Sequence, residues 1–367
     1  MKTSASNTLP NVQERQSFGR YEGDTSRFSH EEALTNGSYL NNSAEISGCS
    51  RCGTTSGNDD VLPVFKADFK YYKRKKPMPS FSDVIDVDSQ RAIDINEVCQ
   101  VSLATDNNLF PSGEAVPNST ENSLFQTHGL NDPSQWSCFE LVKRPGLYIL
   151  KNAISRYGQY LWAERCLVDY PRSPNITNID AFISPDLKAT FNVVDNPKSI
   201  DKLRWTTLGY HHNWTTKRYS EDFRSGMPRD LHSLCWALVK PLGYTNFNAE
   251  AAIVHYYHAN STLSGHIDNS ETNLDAPLVA ISVGQSGLFL MGGASLDEKP
   301  TPIWLRSGDV MIMTGESRLG YHGIPRIVKE RIFEAQEEIC DKNIDHRIIK
   351  FMNENRININ VRQVNFS

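Results

Sequence analysis

Residues 263–268 read Leu-Ser-Gly-His-Ile-Asp, and this stretch predicts a strand that carries half of a metal site. Side chains two positions apart on a strand point to the same face of the sheet. His266 and Asp268 therefore project together, while Ile267 points the other way and packs. One imidazole and one carboxylate form only half of a chelate, so a further ligand has to come from a distant part of the chain.

Short apolar runs surround this stretch and predict further strands. The predicted strands cover residues 252–257, 263–268, 278–283, 287–291, 303–305, 309–313 and 356–364. Glycine-containing turns separate them at the spacing typical of an all-β sandwich or barrel. Helical periodicity at 153–168, 231–242 and 326–355 places helices around the sheets. We therefore predict an α+β fold with a jelly-roll core and flanking helices.

A second histidine, His322, follows the predicted strand 309–313 by a short turn. Gly320 and Gly323 flank it and allow the backbone to bring a side chain close to an ion. Each histidine alone is more often a core or surface residue than a ligand. Together, His266, Asp268 and His322 form the set of two histidines and one carboxylate that holds iron(II) in non-haem oxygenases.

The stretch RININVR at 356–362 supports this interpretation independently. On a strand, Arg356, Asn358, Asn360 and Arg362 share one face, and the aliphatic residues share the other. An exposed sheet edge would show the same alternation. Inside a barrel, however, the two arginines need anionic partners, because an unpaired buried charge is costly. A dicarboxylate would provide them, with the bidentate geometry that arginine offers.

Aromatic and basic residues alternate in the segment LRWTTLGYHHNWTTKRY at 203–219. Aromatic faces beside Lys217 and Arg218 suit stacking on bases while a backbone phosphate is held. A hairpin with aromatic core residues is the alternative, and composition alone favours it. The candidate substrate residues of this segment are Trp205, Tyr210, His211, His212 and Trp214.

Composition indicates a globular protein with a substantial core, since 39% of the 367 residues are hydrophobic. The net charge of −5 means that any contact with nucleic acid needs a local basic surface. Seven scattered cysteines favour a reducing, intracellular compartment, with nucleus, cytoplasm and mitochondrion left open. No apolar run has the length of a membrane span, so we expect no membrane segment.

The region before residue 136 is predicted to lie outside the main domain. Residues 1–60 are rich in Ser, Asn, Gly and Thr and predict a disordered tail, in which Cys49 and Cys52 are two solvated thiols rather than a zinc site. Residues 61–135 predict a short helix, a basic cluster at 73–76 and a linker. The basic cluster either interacts favourably with the helix dipole and raises solubility, or it binds a phosphate backbone or directs nuclear import.

These motifs resemble the AlkB family of iron(II)- and 2-oxoglutarate-dependent dioxygenases, from about residue 203 to residue 364. The resemblance rests on His266 and Asp268, on GDVMIMTGESRLGYHGIPR at 308–326 and on RININVR at 356–362. Segments 213–220, 249–257 and 278–293 resemble the branch of the eukaryotic first AlkB homologue. The family implies a double-stranded β-helix for 136–367, with a nucleotide-recognition lid at about 203–230 and a helical insertion at about 326–355.

The resemblance also assigns cofactor ligands. It implies that iron(II) binds to His266, Asp268 and His322, and 2-oxoglutarate to Tyr257, His255, Arg356, Asn358 and Arg362. Arg356 matches the arginine that pairs with the distal carboxylate, and Arg362 the one beside the metal-bound end. The family usually has asparagine where this chain has His255, so His255 either keeps the donor role or alters cosubstrate affinity.

The implied reaction uses dioxygen to oxidise an N-methyl carbon, which leaves as formaldehyde while 2-oxoglutarate becomes succinate. We expect a monomer that acts on nucleic acid, most of all RNA with 1-methyladenosine in transfer RNA, and also N6-methyladenine in DNA. Some relatives carry an acidic residue where this chain has Ser270, so the choice of base does not transfer. The alternatives are a protein (histone) demethylase or hydroxylase on the same core, and a catalytically silent metal-binding interaction module.

Overall fold

The computed structural model describes residues 62–104, 109–110, 121–334 and 344–365. The tail predicted for 1–60, with Cys49 and Cys52, lies outside these residues. The helices are α1 (Val64–Lys73), α2 (Gln90–Asp94), α3 (Glu121–Thr127), α4 (Arg156–Glu164), α5 (Pro185–Lys188), α6 (Pro197–Ile200), α7 (Arg229–Val239), α8 (Gly315–Arg318) and α9 (His346–Glu354). None of the helices in these ranges is long and apolar enough to cross a bilayer.

Two antiparallel sheets form the centre of the molecule. The strands are β1 (Val98–Val101), β2 (Ser137–Leu141), β3 (Arg144–Lys151), β4 (Ile176–Thr177), β5 (Trp205–Gly209), β6 (Ala251–Tyr257), β7 (Leu263–His266), β8 (Leu278–Gly284), β9 (Ser286–Met291), β10 (Thr301–Leu305), β11 (Val310–Met313), β12 (His322–Val328) and β13 (Arg356–Arg362). The larger sheet has the order β1-β2-β3-β11-β8-β13-β6-β5-β4, and the smaller has the order β10-β9-β12-β7. The predicted α+β class with a jelly-roll core is confirmed.

The alternation predicted for β13 places its two faces in different environments. Ile357, Ile359 and Val361 are buried in the core that the larger sheet shares with α4, α7 and α9. Arg356 and Asn358 line a cavity between the two sheets. β13 is hydrogen-bonded to β6 on one side and to β8 on the other, so its polar face is fixed at the centre of the fold.

The structure differs from the linker predicted within residues 61–135, because much of this segment packs onto both sheets. β1 extends the larger sheet by pairing with β2, and Val98 is buried opposite Leu141. Ile85 forms a bridge to Ile303 of β10. These apolar side chains are few and widely spaced, so the polar composition around them concealed their burial. The folded unit therefore begins before residue 136.

Helix α1 docks on the smaller sheet directly behind the predicted metal strand. Phe65 is 1% exposed, and a Cβ atom on Gly265 would lie 2.5 Å from its ring. Arg326 of β12 donates to the backbone carbonyl of Tyr72 at 2.8 Å, which satisfies the C-terminal end of the helix. The glycine before His266 thus makes room for the helix that supports the strand.

We expect Phe65→Ala to lower the free energy of unfolding by about 3–5 kcal/mol, because it removes a fully buried aromatic ring. Urea unfolding followed by circular dichroism measures this loss. Val64→Ala is the matched control, since Val64 is 39% exposed in the same turn. Equal stability of the two variants would mean that α1 is not part of the cooperative unit.

One further boundary differs from the prediction. Residues 326–328 belong to β12 rather than to a helical insertion, and α9 covers only His346–Glu354 against the outer face of the larger sheet. Residues 335–343 lie outside the described part. Within the predicted lid, Trp205–Gly209 is a strand paired with β6, and the bounds of the lid stay a prediction. The β-branched and apolar side chains of this strand favour a sheet position over a loop.

Candidate metal centre and cosubstrate pocket

The three predicted metal ligands meet where β7 and β12 pair. His322 begins β12 and lies directly opposite His266, the last residue of β7. Asp268 lies two residues beyond the end of β7, so it belongs to the following loop. The prediction of a strand through Asp268 was therefore too long by two residues, although its carboxylate still reaches the two imidazoles.

The ligand atoms of the three residues lie within 4.8 Å of one another. Nε2 of His266 lies 3.7 Å from Oδ1 of Asp268, and Nε2 of His322 lies 3.9 Å from Oδ2. Among the described residues, no other group of three or more His, Cys, Asp or Glu side chains converges in this way. The spacing suits one small cation between them.

Backbone carbonyls fix both imidazoles in the tautomer that a metal requires. Nδ1 of His266 donates to the carbonyl of Ser264 at 2.9 Å, and Nδ1 of His322 donates to the carbonyl of Gly320 at 3.0 Å. A carbonyl accepts only, so the proton lies on Nδ1 and the lone pair on Nε2. Burial, followed by the neighbouring His266, lowers the pKa of His322 to about 4, which keeps the ring neutral.

The carboxylate of Asp268 is held in its ionised form. Burial alone would raise its pKa, but Arg362 and the two histidines lower it well below the usual range. Nη2 of Arg362 lies 3.2 Å from Oδ2 of Asp268. Two neutral imidazoles and one anionic carboxylate are a donor set that fits iron(II).

Arg356 is a buried cation without a carboxylate partner among the described residues. It is 1% exposed, and its guanidinium donates to the carbonyls of Gln285 and Leu305 and to the hydroxyl of Ser282. Its Nε has no partner, and burial lowers its pKa to about 10. Such a group requires an anion from outside the chain.

The cavity at Arg356 extends to the metal ligands, because His322 and Tyr257 also line it. The remaining wall contains the amides of Asn358 and Asn360 together with Gly323, and its apolar part consists of Leu263, Leu278, Phe289, Leu305, Met311, Met313 and Ile324. A short dicarboxylate fits this arrangement, with one end at the cation, an apolar middle and the other end at the metal. The residues present therefore fit 2-oxoglutarate.

His255 and Asn358 lie on the same face of the larger sheet, since they are direct neighbours across β6 and β13. Burial, and then the charge of Arg362, lowers the pKa of His255 to about 3, so the ring is neutral. Its Nδ1 is buried without a hydrogen-bond partner. Asn358 donates to the carbonyl of Ile281 at 3.2 Å. The cosubstrate role of both residues stays a prediction.

Four rings from 205–219, here called the aromatic group, lie beside the loop that carries Asp268. The group consists of Trp205, His212, Trp214 and Tyr219. Ring centroids are 5.6 Å apart for the two tryptophans and 4.7 Å apart for His212 and Trp214. Nε2 of His212 is 3.1 Å from the Ser270 hydroxyl, two residues beyond Asp268. Nε1 of Trp214 and Nδ1 of His212 are buried without partners.

His211 and the hydroxyl of Tyr210 make their contacts outside this group, although the Tyr210 ring packs with Tyr219, and the stacking role of both residues stays a prediction. His211 is 3% exposed, bonded to Thr207 at 2.8 Å and packed on Phe223. The hydroxyl of Tyr210 is bonded to Glu221. Once the chain leaves β5, consecutive side chains point to different sides, and sequence proximity alone did not reveal which of them face the metal.

Sequence reasoning assigned no site role to four residues around the site, namely Tyr219, Ser270, Glu271 and Arg318. Tyr219 accepts a hydrogen bond from Arg362 at 3.2 Å. Glu271 forms ion pairs with both Arg362 and Arg318. Tyr219 was visible as part of the aromatic segment, whereas Glu271 and Arg318 are 47 residues apart and carry no local signal.

Comparison with known proteins agrees with this geometry. The 2OG-Fe(II) oxygenase superfamily profile matches residues 146–362. The human "Nucleic acid dioxygenase ALKBH1" is 32% identical over 299 residues, which cover 78% of this chain and 74% of the relative. The "DNA N(6)-methyladenine demethylase ALKBH1A" of Arabidopsis thaliana is 30% identical, with 80% and 90% covered. The "tRNA demethylase abh1" of Schizosaccharomyces pombe is 30% identical, with 84% and 98% covered.

The family match spans more than half of the chain and contains the His266, Asp268 and His322 cluster. It also contains both arginines of β13 and the cavity between the sheets. The superfamily uses iron(II), 2-oxoglutarate and dioxygen, and the donor set and the unpaired Arg356 fit the first two. The chain belongs to the 2OG-Fe(II) oxygenase superfamily and, within it, to the AlkB family of dioxygenases.

Proposed function

We propose that this chain demethylates bases in nucleic acid, with 1-methyladenosine in transfer RNA as its main substrate and N6-methyladenine in DNA as a second. The observation that carries the proposal is the position of the aromatic group against the loop that holds Asp268. Stacking on an aromatic side chain is the usual way to hold an unpaired base. A base held there would bring its methyl group towards the metal ligands.

The roles of the residues follow from their placement. His266, Asp268 and His322 would hold iron(II), while Arg356 would bind the distal carboxylate of 2-oxoglutarate and Arg362 would lie beside its metal-bound end. When bound, iron(II) and 2-oxoglutarate activate dioxygen for oxidation of the N-methyl carbon, which leaves as formaldehyde. The apolar cavity wall excludes water from this chemistry.

The buried polar atoms of the aromatic group would read the base. Burial, and then Arg362, lowers the pKa of His212 to about 4, so its ring is neutral. Nδ1 of His212 and Nε1 of Trp214 remain without partners and are available for hydrogen bonds to a base edge. A buried polar atom without a partner is costly, so a ligand that bonds to these atoms gains affinity.

The exposed turn from Asn213 to Arg218, here called the hairpin, would supply positive charge for binding to a nucleic-acid backbone. Asn213 and Arg218 form a bridge, and Lys217 and Arg218 lie exposed between Trp214 and Tyr219. Two cations beside stacked rings would contact the phosphates on either side of the base. These two cations would provide the local basic surface that binding to nucleic acid requires in a chain with a net charge of −5.

The names of two relatives support transfer RNA and DNA as the nucleic acids that this chain acts on. The fission yeast protein is named a tRNA demethylase, and the Arabidopsis thaliana protein is named a DNA N(6)-methyladenine demethylase. The decisive experiment incubates the purified full chain with cellular RNA or DNA, iron(II) and 2-oxoglutarate, followed by mass spectrometry of nucleosides. Loss of 1-methyladenosine from transfer RNA is the expected result. An unchanged nucleoside profile, with succinate still formed on histone peptides, would favour the protein-demethylase alternative.

We expect Trp214→Ala to raise the KM for RNA about tenfold or more, since stacking contributes about 1–3 kcal/mol per base. Lys217→Ala with Arg218→Ala, tested separately, should also raise this KM, because contacts to the phosphates are lost. Succinate formed without RNA should change little, because these side chains lie away from the cavity at Arg356. Phe182→Ala is the control, because the Phe182 ring is 64% exposed and lies outside residues 203–219. An equal loss of both activities would contradict the assignment of the aromatic group.

We also propose that the chain is an intracellular monomer in the nucleus, cytoplasm or mitochondrion. The cysteines at positions 99, 138, 166 and 235 are free thiols, which supports a reducing compartment. Light scattering of the purified chain tests the monomer, and imaging of the full chain with a C-terminal tag tests the compartment.

A further inference from the structure

Arg318 ties the loop after β7 to the segment that leads into β12. Its guanidinium donates to the backbone carbonyls of Asp268 and Ala276 and to the carboxylate of Glu271 at 3.0 Å. The side chain is 1% exposed and lies four residues before His322. One buried cation therefore connects the loop of one metal ligand to the strand of another.

Glu271 connects Arg318 to Arg362. Its side chain is fully buried, with Oε2 bound to Arg318 at 3.0 Å and Oε1 bound to Nη1 of Arg362 at 3.2 Å. Together with Asp268, these residues form a closed set of two carboxylates and two guanidinium groups. The charges of these four side chains sum to zero, so together they do not repel a divalent cation.

Arg362 competes with a metal for Asp268. Its Nη2 contacts only Oδ2 of the carboxylate, at 3.2 Å, while Oδ1 faces His266. Its Nη1 is shared between Glu271 and Tyr219. These two partners prevent the guanidinium from turning into the two-pronged pairing that arginine prefers with a carboxylate, which would occupy both oxygens of Asp268.

We propose that Glu271 is a positioning residue that keeps Asp268 available to the metal, by holding Arg362 to a single contact and by fixing Arg318 across the loop. It acts through the two arginines that its carboxylate contacts. Buried ion pairs of this kind contribute little net stability, so a purely stabilising role explains the arrangement less well. The inference concerns the metal site alone and does not depend on which nucleic acid is demethylated.

The test is Mn(II) binding by the full chain, measured by electron paramagnetic resonance without cosubstrate or nucleic acid. Glu271→Gln keeps the shape of the side chain and removes its charge. We expect its Kd for Mn(II) to rise about 10- to 100-fold, the usual effect of losing a residue that orients a metal ligand. Glu316→Gln is the matched control, since Glu316 is exposed on α8 two residues before Arg318, and its Kd should equal that of the unaltered chain.

Thermal unfolding of the metal-free chains separates positioning from stability. A Glu271→Gln chain that melts at a lower temperature yet binds Mn(II) with unchanged affinity would overturn the proposal. Glu271→Gln leaves the charge of Arg318 without a carboxylate partner, so the double variant Glu271→Gln with Arg318→Met serves if the single variant does not fold. We expect the double variant to bind Mn(II) weakly as well, because it also lacks the carboxylate that holds Arg362. Unchanged binding by the folded double variant would equally overturn the proposal.

Discussion

Asp268→Ala is expected to abolish oxidation of methylated bases while the chain remains folded. The carboxylate is the only anion of the three clustered donors, with Oδ1 lying 3.7 Å from Nε2 of His266 and Oδ2 lying 3.9 Å from Nε2 of His322. Without it, two neutral imidazoles remain beside Arg362, whose positive charge repels a metal ion. We expect turnover to fall at least a hundredfold. Loss of a residue that only orients a metal ligand already lowers metal affinity or activity by up to about a hundredfold, and Asp268 is itself a ligand.

The fold should tolerate this substitution because Arg362 keeps Glu271 and Tyr219 as partners. Succinate release with transfer RNA measures turnover, and circular dichroism with thermal unfolding measures the fold. Asp297→Ala, at an exposed carboxylate, is the matched control and should retain full turnover. Substantial succinate release by the Asp268→Ala chain would show that the metal is held elsewhere.

Arg356→Met is expected to raise the KM for 2-oxoglutarate by about 30-fold or more, since losing one partner of a buried charge pair costs about 2–5 kcal/mol. Among the described residues, no carboxylate pairs with Arg356, and its Nε has no partner, so the cosubstrate would complete its contacts. Arg356→Lys should be intermediate, because lysine keeps the charge and loses the planar fork.

Thermal unfolding gives a second measurement that needs no turnover. A ligand that binds only the folded state stabilises it, so 2-oxoglutarate with Mn(II) should raise the melting temperature of the unaltered chain. The same additions should raise the melting temperature of the Arg356→Met chain much less. An unchanged KM together with an unchanged thermal shift would mean that the cosubstrate lies outside the cavity at Arg356.

Local periodicity predicted the central strands well, because it is a property of neighbouring residues. The alternation in 356–362 identified both faces of β13, and the apolar run at 252–257 identified β6. The same logic failed for β1, where two of four residues are exposed and the partner strand lies some forty residues away. A strand that is stabilised by distant pairing leaves little trace in its own composition.

The candidate site was predictable where one motif carried several of its residues. His266 and Asp268 lie two positions apart, and His322 stands in a glycine-flanked turn. The pairing of Glu271 with Arg318 depends instead on how a loop folds back on α8, which no local pattern encodes. Likewise, only the geometry after β5 separates His212, which faces Asp268, from the adjacent His211, which does not.

The central position of β13 also constrains how the protein is made. β6 and β8 are synthesised long before residues 356–362, yet they flank the position that β13 fills. Until residue 362 has left the ribosome, both strands expose unpaired edges, and the cosubstrate pocket lacks both arginines. Such non-local pairing slows folding. We therefore expect the nascent chain to depend on chaperones until that last strand is inserted, and any premature stop before residue 356 to yield an aggregating product.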